Sequence, residues 1–154
     1  MDLDSNDKAI LNAIHWNAKI SLQTIAKKIH VPLSTVHHRI KRFEDLKIIS
    51  RYEAKIDYAK IGRPIQAFIL VTAMNVLPTG KKVYQQDILD ELKKLESVEE
   101  VYIITGSADL MARVRVKDLD EMNDLITFKL RKLDGVGGTQ TTMVLKESDH
   151  QPQI

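Results

Sequence analysis

The hydrophobic positions between residues 20 and 49 follow the period of two short amphipathic helices. The apolar faces are formed by Leu22, Ile25, Ala26 and Ile29 in the first helix and by Val36, Ile40 and Phe43 in the second. The segment His30-Val31-Pro32 interrupts the pattern, because proline cannot continue a helix but suits the first turn of the next one. This layout predicts a helix-turn-helix, whose second helix lies in the DNA major groove.

The outer side of the second helix has the chemistry of a DNA-binding surface. Hydroxyl and imidazole groups can hydrogen-bond to base edges, and cations neutralise phosphates. We expect base contacts from Ser34, Thr35, His37 and His38, and phosphate contacts from Arg39, Lys41 and Arg42. An alternative role for Arg39 is to brace the helix internally. The alternative for the whole surface is a solvated basic helix face.

One more helix is predicted earlier in the chain, from about Ser5 to Trp16, with Asp4 or Ser5 as its cap. Its apolar side is formed by Leu3, Ile10, Leu11 and Ile14. Three such helices can bury one another in a small core, and we expect Trp16 to anchor that core. Residues 48–56 then alternate with a period of two, which predicts one extended strand acting as a short wing or a tether.

The second half of the chain predicts alternating strands and helices. Strands are expected at residues 65–76, 98–105, 109–116 and 139–145, and helices at 81–95 and from Asp118 to about Leu133. This β-α-β-β-α-β order is the ferredoxin-like arrangement, in which two helices cover one face of a four-stranded antiparallel sheet. The predicted fold class is α+β, with an N-terminal winged helix-turn-helix followed by this ferredoxin-like unit.

Both faces of the first predicted strand are apolar. One face carries Ile65, Ala67, Ile69 and Val71, and the other carries Phe68, Leu70 and Met74. The helices can cover only one of them, and an exposed apolar sheet face usually marks an interface. We therefore expect a homodimer in which two sheets pack face to face, which also suits a two-fold DNA site.

The breakers Gly62 and Pro64 predict a boundary between two domains. The expected organisation is a helix-turn-helix DNA-binding domain at residues 1–50, a strand and hinge linker at 51–64, a βαββαβ oligomerisation domain at 65–147, and a polar tail at 148–154.

The charge distribution supports this division. The net charge of the 154 residues is +2, but residues 1–63 contain 12 Lys and Arg against 7 Asp and Glu. The remainder contains 11 against 14, so only the first part is expected to meet a polyanion. The absence of cysteine excludes disulfides and thiolate sites. The N-terminus is acidic, unlike that of a signal peptide, and the chain has no apolar run long enough for a membrane helix. These three features favour a cytoplasmic, nucleoid-associated protein.

The chain has four short motifs, at residues 31–35, 39–44, 106–109 and 135–141. Together they resemble the Lrp/AsnC (feast/famine) family of transcription regulators. The run Arg39-Ile40-Lys41-Arg42-Phe43-Glu44 is similar to the family's R-I/V-K/R-R-L-E, and Val31-Pro32-Leu33-Ser34-Thr35 matches the preceding segment more loosely. Gly106-Ser107-Ala108-Asp109 resembles the family's G-x-x-D turn. Gly135-Val136, followed by Thr139-Gln140-Thr141, resembles its P-G-V-x-x-T-x-T segment.

The resemblance implies a winged helix-turn-helix joined to a ligand-responsive βαββαβ domain (the RAM domain). It also implies dimers that assemble into higher oligomers, often octamers, and a response to an amino acid or related small molecule. The implied effector-binding residues are Gly106, Asp109, Thr139 and Thr141. The sequence departs from the family pattern at several positions. Pro32 replaces the capping serine, His30 and Lys47 replace glycines, Leu110 replaces an aromatic residue, and Gly138 replaces a larger polar residue.

Other classes of protein fit the sequence less well. A dinucleotide loop precedes a helix, whereas Gly135-Val136-Gly137-Gly138 precedes a strand, and we expect no catalytic residues and no cofactor. His37 and His38 point about 100° apart on a helix, which disfavours a metal site. An architectural DNA-compacting protein without effector control is the alternative that shares the predicted fold.

Overall fold

The computed structural model describes residues 2–148 and residue 154, and the chain divides into two compact units. One unit contains the residues up to Ile56 together with Ser148 and Ile154, and the other spans Asp57–Glu147. Each unit has a hydrophobic core of its own, so each is described separately.

The first unit contains three helices, α1 (Ser5–Trp16), α2 (Leu22–Ile29) and α3 (Leu33–Asp45). A capping box begins α1, where the Asp4 carboxylate accepts from the Asp7 amide at 2.7 Å and the Asp7 carboxylate accepts from the Asp4 amide at 3.3 Å. Ser21 caps α2 by accepting from the Thr24 amide at 3.1 Å. The core of this unit is formed by Ile10, Leu11, Ile25, Ala26, Val36, Ile40 and Phe43.

Two turns of this unit place residues other than glycine in the left-handed region of the backbone. His30 ends α2 with a φ of 56°, and Lys47 follows α3 with a φ of 58°. These are the positions at which the family pattern has glycine, which adopts this backbone without steric cost. Pro32 precedes α3 and provides no side-chain cap. The three departures from the family pattern therefore leave the helix-turn-helix backbone intact.

The prediction that Trp16 anchors the helical core is wrong, because 66% of this residue is exposed. Trp16 is the last residue of α1, six positions after the fully buried Ile10. Six helical steps correspond to about 240° of rotation, which turns Trp16 away from the core.

The strand predicted over residues 48–56 is also absent from the described part of the chain, where residues 51–57 form no β-ladder. A strand must form backbone hydrogen bonds with a neighbouring strand, and an alternating sequence pattern alone does not show whether such a neighbour is present. Tyr52 instead donates a hydrogen bond to the Glu44 carboxylate at 2.7 Å. Burial, assisted by this contact, raises the pKa of Tyr52 to about 12. This bond holds the segment against α3.

The second unit has the β-α-β-β-α-β order that the sequence predicts. Its elements are β1 (Ile65–Ala73), α4 (Gln85–Leu92), β2 (Val98–Ile103), β3 (Leu110–Val116), α5 (Leu119–Asp124) and β4 (Val136–Met143). After α5 the chain continues as a π-helical turn over Leu125–Lys129 and a 3-10 turn over Leu130–Lys132. The strands form one antiparallel sheet in the order β2-β3-β1-β4. The predicted ferredoxin-like unit is thus confirmed.

The inward face of this sheet packs against both helices. Its core includes Ala67, Ile69, Val71, Leu110, Ala112, Val114 and Val116 from the sheet and Ile88, Leu92, Met122 and Leu125 from the helical segments. The boundaries differ from the prediction in several elements. The α-helical part of α5 ends at Asp124 instead of about Leu133, α4 starts at Gln85 instead of residue 81, and β4 starts at Val136 instead of residue 139.

The open face of the sheet is less apolar than predicted. Phe68 and Leu70 are half-buried near its centre, whereas Met74 lies beyond the end of β1 and is exposed. The β2 side of this face is ionic, because Glu99 contacts Arg113 Nε at 3.1 Å and Arg115 Nε at 2.7 Å. A surface of this mixed character differs from the continuous apolar face that the pattern of β1 alone suggests.

Residues 57–63 pack on the second unit. Arg63 donates to the Glu121 carboxylate at 2.7 Å and to the Arg115 carbonyl oxygen at 3.2 Å. The Lys117 amide also donates to Glu121, and this hydrogen bond makes the largest contribution to lowering the pKa of the Glu121 carboxyl. These contacts attach the end of the segment that precedes β1 to the start of α5.

Candidate DNA-binding surface and effector region

The two sides of α3 differ as the sequence predicts. Val36, Ile40 and Phe43 are buried in the helical core. Ser34, His37, His38 and Lys41 are exposed, and Thr35, Arg39 and Arg42 are half-buried. The exposed set combines a hydroxyl, two imidazoles and an ammonium group on one helix. These groups can hydrogen-bond to base edges and neutralise phosphate.

Arg39 and Arg42 contact two carboxylates at the start of α1. Arg39 Nη1 lies 2.6 Å from Asp4 Oδ2 and 2.6 Å from Asp7 Oδ1, and Arg42 Nη2 lies 3.0 Å from Asp7 Oδ2. The Asp7 side chain is only 3% exposed, compared with 21% for Arg39 and 40% for Arg42. We call these four side chains the ionic brace. The brace connects α3 to α1 by charge-assisted hydrogen bonds.

The brace changes the protonation equilibria of Asp4 and Arg39. The hydrogen bond from Arg39 lowers the pKa of the Asp4 carboxyl, and the same bond is the largest cause of the raised pKa of Arg39. Arg39 therefore has the internal role that the sequence offered as an alternative to a phosphate contact. The sequence assigned Asp4 and Asp7 only to the start of α1, because no local signal shows which helix packs beside them.

A second feature of this surface is an open depression of about 550 Å³ where the first turns of α2 and α3 meet. It is lined by Ser21, Leu22, Gln23, Leu33, Ser34 and His37. Leu33, the first residue of α3, is 43% exposed. Helical periodicity did not single out this residue, because its position lies on the flank of the helix between the core and the predicted DNA face.

The Gly-x-x-Asp turn lies at one end of the sheet. Asp109 Oδ2 accepts from the Ala73 amide at 2.8 Å, and Asp109 Oδ1 accepts from the Gln85 side-chain amide at 3.0 Å. Gly106 has a φ of 132°, which favours glycine. The carboxylate of Asp109 thus ties the turn to the end of β1 and to the start of α4.

The predicted effector residues of β4 lie near the same end of the sheet. Thr139 pairs with Val71, and Thr141 pairs with Ile69. The Asp109 amide donates to the Val71 carbonyl oxygen at 3.0 Å, so Asp109 and Thr139 flank the same residue of β1. The structure therefore brings the turn and the beginning of β4 to opposite sides of one strand, about two strand spacings apart.

Gly135 of the Gly-Val motif has a packing role. Its φ is 88°, and a β-carbon at this position would lie 2.6 Å from Val83 Cγ1 and 3.0 Å from Ile88 Cδ1. Gly135 thus allows the chain to pass close to α4 as it enters β4.

The described residues, 2–148 and 154, contain neither a cluster of metal-binding side chains nor a membrane-spanning helix. In this part of the chain, no group of three or more His, Cys, Asp or Glu side chains is arranged to hold a metal ion. Within the same residues, no helix combines the length and the apolar character that crossing a membrane requires.

A helix-turn-helix with a polar and cationic outer face is typical of DNA-binding proteins, and in this chain a second domain with an antiparallel βαββαβ fold follows it. Residues 3–50 match the winged helix-turn-helix DNA-binding family model, and residues 66–154 match the Lrp/AsnC ligand binding domain. The chain belongs to the Lrp/AsnC family and is a DNA-binding transcriptional regulator. The predicted family and fold class are thereby confirmed.

Relatives and solved structures agree with this assignment. An uncharacterized HTH-type transcriptional regulator of Pyrococcus abyssi is 34% identical over 139 residues, which cover 90% of each chain. The HTH-type transcriptional regulator FL11 of Pyrococcus furiosus is 32% identical over 144 residues, covering 94% of this chain and 90% of that protein.

Among solved structures, E. coli AsnC has a TM-score of 0.83 at 22% identity, with coverage of 99% of this chain and 98% of that chain. A transcriptional regulator of Neisseria meningitidis, crystallised in complex with L-Met, has a TM-score of 0.88 at 23% identity, with coverage of 99% and 96%. At these identities the likeness describes the fold.

Proposed function

We propose that this regulator reads a specific DNA sequence through α3, works as a homodimer that forms higher oligomers, and responds to an amino acid or a related small molecule. The observation that supports sequence-specific reading is the exposure of Ser34, His37 and His38 on a helix whose other face is buried. In this proposal the protein has no catalytic role and acts on the nucleoid in the cytoplasm.

Base and phosphate contacts are divided between the exposed and half-buried residues of α3. Ser34, Thr35, His37 and His38 contact base edges, and Lys41 and Arg42 contact phosphates. Arg39 acts through the ionic brace, where it fixes the position of α3 against α1.

Selection of bound fragments from random duplex DNA at near-physiological salt tests this proposal. A short palindromic motif would support a specific, two-fold regulator. Broad binding without a motif would favour the architectural alternative, whose affinity comes from phosphate contacts and depends strongly on salt. The absence of any binding would overturn the assignment of α3.

His38→Ala should weaken binding by about 1–3 kcal/mol at one base position, because the imidazole contributes to base discrimination. The measurement compares affinities for the selected site and for its single-base variants. Lys41→Ala is the matched comparison, and it should weaken binding to all sequences and reduce the salt slope by about one unit. A uniform loss for His38→Ala, or an unchanged slope for Lys41→Ala, would contradict these roles.

The open face of the sheet supports the proposed dimer. Leu70 is half-buried and pairs with Met111 of β3 and Gln140 of β4, which places it in the interior of that face. A two-fold interface would bring the same patch of a second copy against it. Leu70→Lys should therefore convert the dimer to a monomer, since a charge would be buried without a partner.

Light scattering after size-exclusion chromatography measures this change in mass. Leu119→Lys is the control, because Leu119 is 66% exposed at the start of α5, away from the open face. Equal oligomers for Leu70→Lys and the unsubstituted chain would rule out the open face as the dimer interface.

The proposed effector site is the sheet end formed by Gly106, Asp109, Thr139 and Thr141. The ligand binding domain and the L-Met complex of the Neisseria regulator support an amino-acid effector. Carboxylate and hydroxyl oxygens can hold an ammonium group, and hydroxyls can donate to a carboxylate. Since Asp109 is already bonded to Ala73 and Gln85, it contributes mainly by holding the turn in place.

Thr139→Val should reduce the affinity for the effector about tenfold, because it removes one hydroxyl and keeps the shape of the side chain. A thermal-shift screen of the amino acids, followed by calorimetry of those that stabilise the chain, measures this loss. Thr142→Val is the control, because Thr142 lies on the opposite face of β4. A screen in which none of the amino acids stabilises the chain would contradict the proposed effector class.

A further inference from the structure

The depression between α2 and α3 is apolar at a place where a DNA-binding surface is otherwise polar. Leu33 is 43% exposed there, and Leu22 extends the apolar surface from the helical core. Ser34 and His37, two of the proposed base-contacting residues, line the same depression. A base that reaches Ser34 or His37 is therefore adjacent to an apolar surface.

DNA offers one kind of group to such a surface. Phosphates are charged and base edges are polar, but thymine carries a 5-methyl group that projects into the major groove. An apolar side chain in contact with this methyl distinguishes thymine from the other three bases. The depression continues the proposed reading surface, so its chemistry fits a thymine methyl better than any other part of the duplex.

We propose that Leu33 and Leu22 form a contact site for the 5-methyl group of one thymine in each half-site, which makes Leu33 a specificity-determining residue. This inference rests on the proposed function, because it requires α3 to enter the major groove. It adds a hydrophobic determinant to the hydrogen-bonding contacts of Ser34, His37 and His38.

Deoxyuridine tests this contact, because it lacks only the 5-methyl group of thymidine and keeps every hydrogen-bonding atom. Each thymidine of a duplex selected by the full-length protein is replaced in turn, and the affinity is measured at constant salt. At one thymine in each half-site, replacement by deoxyuridine should weaken binding about fourfold, because the buried contact of the methyl group is lost.

Variants at position 33 connect the methyl effect to the side chain. Leu33→Ala should bind the thymidine and deoxyuridine duplexes with nearly equal affinity, whereas Leu33→Met should retain most of the difference. Leu46→Ala is the matched control, because Leu46 is 56% exposed just after the other end of α3. This control should keep the full fourfold effect.

The outcomes separate this inference from the proposed function. A selected motif in which every deoxyuridine duplex binds like its thymidine counterpart would overturn the methyl contact and leave sequence-specific binding in place. A methyl effect that persists unchanged in Leu33→Ala would overturn the assignment to Leu33. Failure to select any motif would overturn both the proposed function and the contact site.

Discussion

Asp7→Ala should destabilise the helical unit by about 2–3 kcal/mol. Asp7 is a buried carboxylate shared by Arg39 and Arg42, and its removal leaves two guanidinium groups without their common partner. It also removes one hydrogen bond of the capping box of α1. Hydrogen exchange of the amides of α1 and α3 in the full-length chain measures the change in opening free energy.

The control for this variant is Asp45→Ala, which removes an exposed carboxylate at the end of α3. Its effect should stay within about 0.5 kcal/mol. If both variants lost the same stability, the change in net charge would explain the result and the brace would not.

The brace also predicts the response of the helical unit to acid. Asp4 has a pKa below its reference value of 3.8, chiefly because Arg39 donates a hydrogen bond to the carboxylate. A lowered folded-state pKa means that the stabilisation is complete above the unfolded pKa and disappears as the pH falls through the folded value. The opening free energy of the α1 amides, obtained after correction for the intrinsic exchange rate at each pH, should therefore fall below about pH 4, and Asp4→Asn should reduce this dependence.

Gly135→Ala should destabilise the sheet unit by about 3 kcal/mol. The left-handed backbone disfavours any side chain at this position, and the added β-carbon would also lie 2.6 Å from Val83 Cγ1. Relief of this contact would require α4 or the entry to β4 to move. Urea unfolding of the full-length chain, followed by hydrogen exchange of β1 and β4, measures the loss.

Gly138→Ala is the matched control in the same glycine-rich segment. A β-carbon there would approach no closer than 4.0 Å to the Thr72 side chain, and the backbone is not left-handed. Its stability should remain within about 0.5 kcal/mol of the original. A loss of stability as large as that of Gly135→Ala would show that a side chain is unfavourable anywhere in this segment. The close approach of Gly135 to Val83 would then not explain the destabilisation.

The helical half of the fold was predictable because its signals are local. Asp4 and Ser21 are capping residues, and the spacing of Val36, Ile40 and Phe43 indicates one buried face. Trp16 was misplaced because a large aromatic residue was assumed to be buried, although its helical angle turns it outward.

The sheet was predictable in order but not in detail. Gly137 and Gly138 have no side chains whose alternation could reveal that β4 begins at Val136. The pairing of Arg113 and Arg115 with Glu99 depends on the register of β3 against β2, which shifts between Val98 and Glu100. Such contacts, like those of the ionic brace, join residues that are distant in the chain, so a periodic pattern cannot show them.

The charged side chains of α3 that contact carboxylates in the ionic brace differ in their sensitivity to salt from the exposed charged side chains of the same helix. Ions in solution screen exposed charges strongly, but they screen contacts to the nearly buried Asp7 much less. Rising ionic strength would therefore release the helix from DNA while its position on α1 stays the same. Dissociation of the protein from DNA and its rebinding would then depend on the uptake and release of counterions by the DNA, without a refolding step. This favours rapid exchange of the protein between sites on a chromosome.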